Sequence, residues 1–237
     1  MKTNLKQNVL DKGFIEVVDY LGTDLTVVNS ARVSFGKRKS TYDEVDRILV
    51  EFLAENYHMS PFRHLVVQFH VKAPEFVMRQ WYKHVVGIET SSSSFTKDHA
   101  WNEISGRYVP VSDFYEPSNW RGQSEDNRQA SEGSIDDQES ASKIFHKTMD
   151  LLLDSYNKLL ELGVAKEQAR IMLPLNQYTE VYWTASFQAI MNFLELRDEP
   201  NAQWEIRQFA LAMKEMMFDI YPETTKIWFK VKDKQNK

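Results

Sequence analysis

The sequence predicts an α+β fold in a single domain spanning residues 1–237, a mixed or antiparallel sheet flanked by helices. Three observations predict it. Segments of strand period and of helix period interleave irregularly, without the βαβ rhythm of a doubly wound sheet. No Gly-rich turn follows the first strand, so a dinucleotide-binding sheet is not expected. The 237 residues, 42% of them hydrophobic, suffice for one core, and no internal repeat or domain linker divides them.

In chain order, FIEVVDY (14–20) alternates loosely as a strand, and Asp24 is placed to cap a short helix carrying Leu25, Val28 and Ala31. From Tyr42 to Asn56, Val45, Ile48, Leu49, Phe52 and Leu53 follow the i, i+3, i+4, i+7 pattern of a helix. Leu65–Val71 reads as a strand. Pro74, which needs no N–H, opens a helix over EFVMRQWYKH. The polar stretches 88–99 and 118–141 read as loops. A long helix follows over about Asp136–Leu162, with Ile144, Met149, Leu152, Leu153, Tyr156, Leu159 and Leu160 on its buried side and Gly163 as its stop. KEQARIML is a shorter helix ending at Pro174, and Tyr178–Trp183 is a strand. Ala185–Arg197 and Ala202–Tyr221 are helical, the second buried through Trp204, Phe209, Met213, Met216 and Ile220.

Composition excludes several chemistries. The chain contains no cysteine, which removes disulfides, thiolate zinc sites and every cysteine-nucleophile mechanism. Its net charge of -5 gives no basic footprint for nucleic acid. The apolar stretches fall short of the roughly 20 residues that span a bilayer, and the N-terminus lacks a signal-peptide pattern, so a cytoplasmic protein without a membrane partner is expected. His58, His64 and His70 are evenly spaced, yet no acidic cluster joins them, and no metal is expected. Acyl-transfer and phosphate-loop signatures are absent.

The residues richest in chemistry are WNEISGRYVP. Around Gly106, Asn102, Glu103, Ser105 and Arg107 form a turn dense in donors, suited to gripping a phosphate. A capped surface turn with a solvated arginine has the same composition.

DKGFIEVVDYLG, ARVSF, SPFRH, FHVKAPEFVMRQW, NEISGRY, ARIMLPLNQYT, MNFLELR and AQWEIRQFA stand in the order and near the spacing found in flavin-dependent thymidylate synthases, and the resemblance covers Asp11 to Tyr221. The signature of that family is Arg-His-Arg, seven residues, then Ser. Its second half stands here as Ser105, Gly106, Arg107 and Tyr108; its first half is Lys83, His84 and Val85, and 19 residues separate Val85 from Ser105. A polar insertion at about 86–100 therefore splits the motif. Lys97 is the candidate replacement for the charge that Val85 lacks. Gln188 and Asn201 stand where some relatives have Arg and His.

The resemblance implies reductive methylation of dUMP to dTMP, with methylenetetrahydrofolate as one-carbon donor and FAD reduced by NADPH. It assigns dUMP to Gln80, Lys83, Glu103, Ile104, Ser105, Gly106, Arg107, Arg170 and Arg197, and FAD to Ser60, Lys83, His84, Glu103, Ser186, Gln188 and Asn192. Arg197 is the catalytic candidate, facing the uracil ring. A homotetramer with sites shared between subunits is implied. Ser105 reads as a phosphate-binding hydroxyl rather than a nucleophile, because no base stands at a readable spacing. The competing expectation is a catalytically weak flavin- or nucleotide-binding relative with a broken motif.

Overall fold

The computed structural model describes residues 5–84, 100–110, 112–128 and 130–235. Val85, Lys97 and nearly all of the expected insertion lie outside them.

Five strands form one antiparallel sheet in the order β1-β2-β3-β7-β4, with β1 at Lys6–Val9, β2 at Gly13–Leu21, β3 at Val66–Pro74, β4 at Trp101–Glu103 and β7 at Tyr178–Ser186. On β3, Val67, Phe69, Val71 and Ala73 are fully buried, while Gln68, His70 and Lys72 on the opposite face are only partly covered, as the two-residue strand period requires. Register sets Ile15 opposite Val71 and Phe69 opposite Trp183. A bulge between Val17 and Asp19 shifts the pairing of β2.

Helices cover the apolar face: α3 (Glu75–Trp81), α6 (Phe187–Arg197) and α7 (Trp204–Ile220). Trp81 sits where they meet, stacked on Phe193 of α6 at 4.5 Å and edge-on to Trp183 of β7 at 5.7 Å and Phe209 of α7 at 6.0 Å. Truncating so enclosed an indole to alanine costs about 3–5 kcal/mol. At the far edge, α1 (Asp24–Arg32), α2 (Glu44–Glu55) and α8 (Pro222–Gln235) pack together. The buried Asp46 of α2 ties them to the preceding loop by accepting from Arg32 at 2.7 Å and Lys39 at 2.6 Å.

Several sequence expectations need correction. The cap of α1 is Thr23, whose side chain forms a reciprocal box with Thr26; Asp24 instead accepts from Thr224 N at 2.7 Å, fastening α8. The helix after Pro74 ends at Trp81, so Lys83 and His84 lie beyond it. The polar stretch 118–141 holds a two-stranded ribbon, β5 (Arg121–Gln123) and β6 (Ser131–Ser134), whose short polar strands have no apolar alternation to read. The long helix α4 is Gln138–Glu161, capped by Asp137 through Ser140 N. Of its expected apolar stripe only Met149 and Tyr156 are buried, and Ile144 is 68% exposed. Trp204 is likewise 39% exposed, because it covers Arg121 at 4.9 Å rather than the core. The 166–173 helix is α5 (Lys166–Ala169) continued by one tighter turn. Among the described residues no helix is long and apolar enough to cross a membrane, and no three potential metal ligands converge. His70 is occupied by Glu180 at 3.1 Å and stacked on Tyr182.

Candidate active site

The edge strand β4 delivers the donor-rich turn. Glu103 pairs opposite Val181 of β7, and Ile104 N donates to Glu180 O at 2.9 Å, carrying the sheet one residue further. The chain then closes on itself: Tyr108 N and Val109 N both donate to Ser105 O, at 2.9 and 3.1 Å. Lys166 from α5 holds this turn by donating to Tyr108 O at 3.2 Å. Between the turn, the start of α3, the end of α5 and the start of β7 lies an open cleft of ≈ 500 Å³. Glu103, Ile104, Ser105, Gly106, Arg107 and Arg170 all line it. Six of the nine residues assigned to dUMP thus converge on one cavity.

Its electrostatics suit an anion with polar edges. Neither Arg107 nor Arg170 is ion-paired among the described residues, and Arg107 reaches only the hydroxyl of Ser105, at 3.4 Å, and the ring of Tyr108. Glu103 is held by Thr179, which donates at 2.7 Å, and by Trp101, whose indole donates at 3.2 Å. Burial raises the carboxyl of Glu75, the neighbouring charge of Glu103 raises it further, and Gln177, Arg79 and Arg170 offset part of the rise. Glu75, Thr179 and Gln177 were not foreseen in this cavity. Glu75 reads in sequence as an ordinary first-turn acid, and only the pairing of β7 with β3 aims it inward. Among the described residues no base is hydrogen-bonded to the Ser105 hydroxyl; its oxygen accepts from Arg107 N at 3.3 Å.

Gln80, Lys83 and Arg197 do not line this cleft. Arg197, the last residue of α6, is half-buried. Its Nε donates to His84 Nε2 at 3.0 Å and its Nη1 to Gln80 Oε1 at 3.3 Å. His84 packs edge-on to Phe193. Its pKa is depressed from 6.5 to about 4, first by burial and then by the guanidinium, so at neutral pH the imidazole offers Arg197 a lone pair. Lys83 is exposed.

Of the residues assigned to FAD, Ser60, Ser186, Gln188 and Asn192 lie on or beside the first half of α6, whereas His84 meets Arg197 at the far end of that helix and Glu103 lines the other cleft. Ser186 caps that helix, accepting from Ala189 N at 3.2 Å. Gln188 and Asn192 are partly exposed on a helix whose Phe187, Ala189, Ile190, Met191, Phe193 and Leu194 are all buried. Ser60 opens the short helical turn that packs beside α6. From that turn Arg63, which sequence reasoning missed, donates to Gln188 at 2.6 Å. A guanidinium, a helix N-terminus and two amides form a donor set fit for an anionic cofactor.

Residues 16–223 match the family model of the thymidylate synthase complementing protein. The chain belongs to the flavin-dependent thymidylate synthases. It is 45% identical to the flavin-dependent thymidylate synthase of Thermus thermophilus over 215 residues, 90% of this chain and 74% of that protein. It is 42% identical to that of Thermotoga neapolitana over 228 residues, 95% of each. Among solved structures, the UMP/dUMP methylase PolB from Streptomyces cacaoi bound with 5-Br dUMP superposes with a TM-score of 0.79 at 28% identity, covering 94% of this chain and 97% of that one. In this chain the lack of cysteine leaves no thiolate to attack a pyrimidine.

Proposed function

We propose that the chain methylates dUMP reductively to dTMP, using methylenetetrahydrofolate as one-carbon donor and FAD reduced by NADPH. The observation that carries this reading is the convergence of Ser105, Arg107, Arg170 and Glu103 on one cleft whose two arginines lack ion partners among the described residues. Arg107 and Arg170 would hold the nucleotide phosphate by charge-assisted bonds, with Ser105 as a further hydroxyl partner. Ser105 binds and does not attack, since an unactivated serine is a weak nucleophile.

Arg197 would face the uracil ring. With Nε and Nη1 already held by His84 and Gln80, its remaining N–H groups are fixed in direction before substrate arrives. A preorganised guanidinium stabilises the anion left when the uracil imide loses its proton, and that charge makes the neighbouring ring carbon nucleophilic. Ser60, His84, Ser186, Gln188 and Asn192, with Arg63, would hold FAD. When bound, the reduced flavin supplies the hydride that completes the methyl group.

The separation of Arg197, Gln80 and Lys83 from the phosphate cleft supports a site assembled from different subunits of a homotetramer. Subunit complementation tests this. Arg170→Ala and Arg197→Lys should each be nearly inactive, and a mixture dissociated and reassembled should recover dTMP formation. A mixture no more active than its parts would refute shared sites. A flavin absorption spectrum in the purified protein tests the cofactor, and a colourless protein that binds no added FAD refutes it.

A further inference from the structure

Two polar side chains at the start of α7, Gln203 and Glu205, have no part in the reaction as described, yet they connect to its centre. Glu205, in the first turn of α7, is 5% exposed. One of its oxygens accepts from Arg121 Nη2 of β5 at 2.5 Å and from the Tyr115 hydroxyl at 3.3 Å; the other accepts from Gln203 Nε2 at 3.0 Å. An ionised carboxylate can only accept. Gln203 must therefore turn its amide nitrogen toward Glu205, which leaves its Oε1 facing away, where it accepts from Gln80 Nε2. Having donated there, Gln80 presents its own Oε1 to Arg197 Nη1.

We propose that Glu205 is a positioning residue for Arg197, acting through Gln203 and Gln80. Each amide in this relay could face either way if isolated. The buried carboxylate at one end permits only the arrangement in which Arg197 meets an acceptor. Reversal of Gln203 would set its N–H group against that of Gln80 and force Gln80 to turn, and a reversed Gln80 would set an N–H group against the guanidinium, two donors with no acceptor between them, and would turn Arg197 away. Arg121 neutralises Glu205 and so anchors the ribbon β5–β6 to the same relay. The proposal rests on the reading of Arg197 as the residue that faces uracil.

A polarity swap tests it on the FAD-loaded, assembled protein. Gln203→Glu alone sets two carboxylates side by side, and Glu205→Gln alone removes the terminus that orients the relay. In the double variant the carboxylate introduced at 203 accepts from Gln80 on one side and from the new amide at 205 on the other, and the acceptor facing Arg197 returns. The readouts are dUMP affinity by titration calorimetry, kcat and melting temperature. Each single variant is expected to bind dUMP about tenfold more weakly or worse, and the double variant within about threefold of the parent. Gln203→Met, which keeps the volume and removes the amide, serves if a single variant fails to fold, and should also lose about tenfold. Melting temperatures that fall while dUMP affinity holds, or a double variant carrying the summed loss of both singles, would overturn the relay. Arg197→Lys is measured alongside. If it keeps full dUMP affinity, the reading of Arg197 fails and the relay with it; if it loses affinity while the relay variants do not, the relay alone fails.

Discussion

Replacing Arg197 with lysine separates an active guanidinium from a helix-terminal cation. Arg197 ends α6, where any cation gains about 0.3–1 kcal/mol from the helix dipole, and lysine would serve that purpose as well. The structure asks more of it: Nε is engaged by His84 and Nη1 by Gln80, with further N–H groups left over. A lysine ammonium is a point charge that cannot reproduce this planar fork. Losing one held contact and the alignment of the remaining donors removes at least one charge-assisted bond, about 1.5–3 kcal/mol, or roughly 10- to 150-fold in rate. We expect kcat/KM for dTMP formation to fall about 100-fold while FAD content is retained and the melting temperature stays near that of the parent. The assay is dTMP formation under dUMP limitation, with flavin absorbance and thermal melting in parallel. A variant within threefold of the parent would falsify the role given to Arg197.

Other outcomes follow from the same geometry. Arg107→Ala and Arg170→Ala should each weaken dUMP binding by about 1.5–3 kcal/mol in calorimetry, with deoxyuridine, which lacks the phosphate, affected far less; equal losses for both ligands would remove the arginines from the phosphate. Thiol-alkylating reagents should leave activity unchanged, since the chain has no cysteine, and stoichiometric inactivation would contradict a cysteine-free mechanism. His84 should make stability pH-dependent. Its folded pKa of about 4 lies below the ordinary 6.5, so its contribution is complete above pH 6.5 and is lost as pH falls toward 4. The drop in melting temperature between pH 7 and 4 should be shallower in His84→Gln, and an unchanged slope would show that His84 is not responsible.

Periodicity made the core elements legible. The alternation of β2, β3 and β7 and the apolar pattern of α6 and α7 bury most of what they promised, with Trp204 an exception; α2 does not, since of its expected stripe only Leu53 is buried while Val45, Ile48 and Phe52 are exposed. The short polar strands were not legible. β4 exists because Trp101–Glu103 pairs with β7, and β5 and β6 exist because they pair with each other; neither fact is local to its residues. α4 misled for a different reason, since its apolar stripe is real but largely uncovered in a single chain. At the site, the Ser-Gly-Arg turn could be read directly, because a dense run of donors is visible in one segment. Arg63 beside Gln188, Glu75 in the cleft and the carboxylate behind Gln203 could not. The first two depend on contacts between segments 102 or more residues apart, and the third on which way the first turn of α7 faces.

The measurement closest to the central claim is a single incubation of the purified protein with dUMP, methylenetetrahydrofolate, FAD and NADPH, read by mass spectrometry of the nucleotide. The account predicts dTMP, formed only when all four are present and abolished by omitting FAD. Unmethylated dUMP recovered from a protein that carries bound FAD would contradict it.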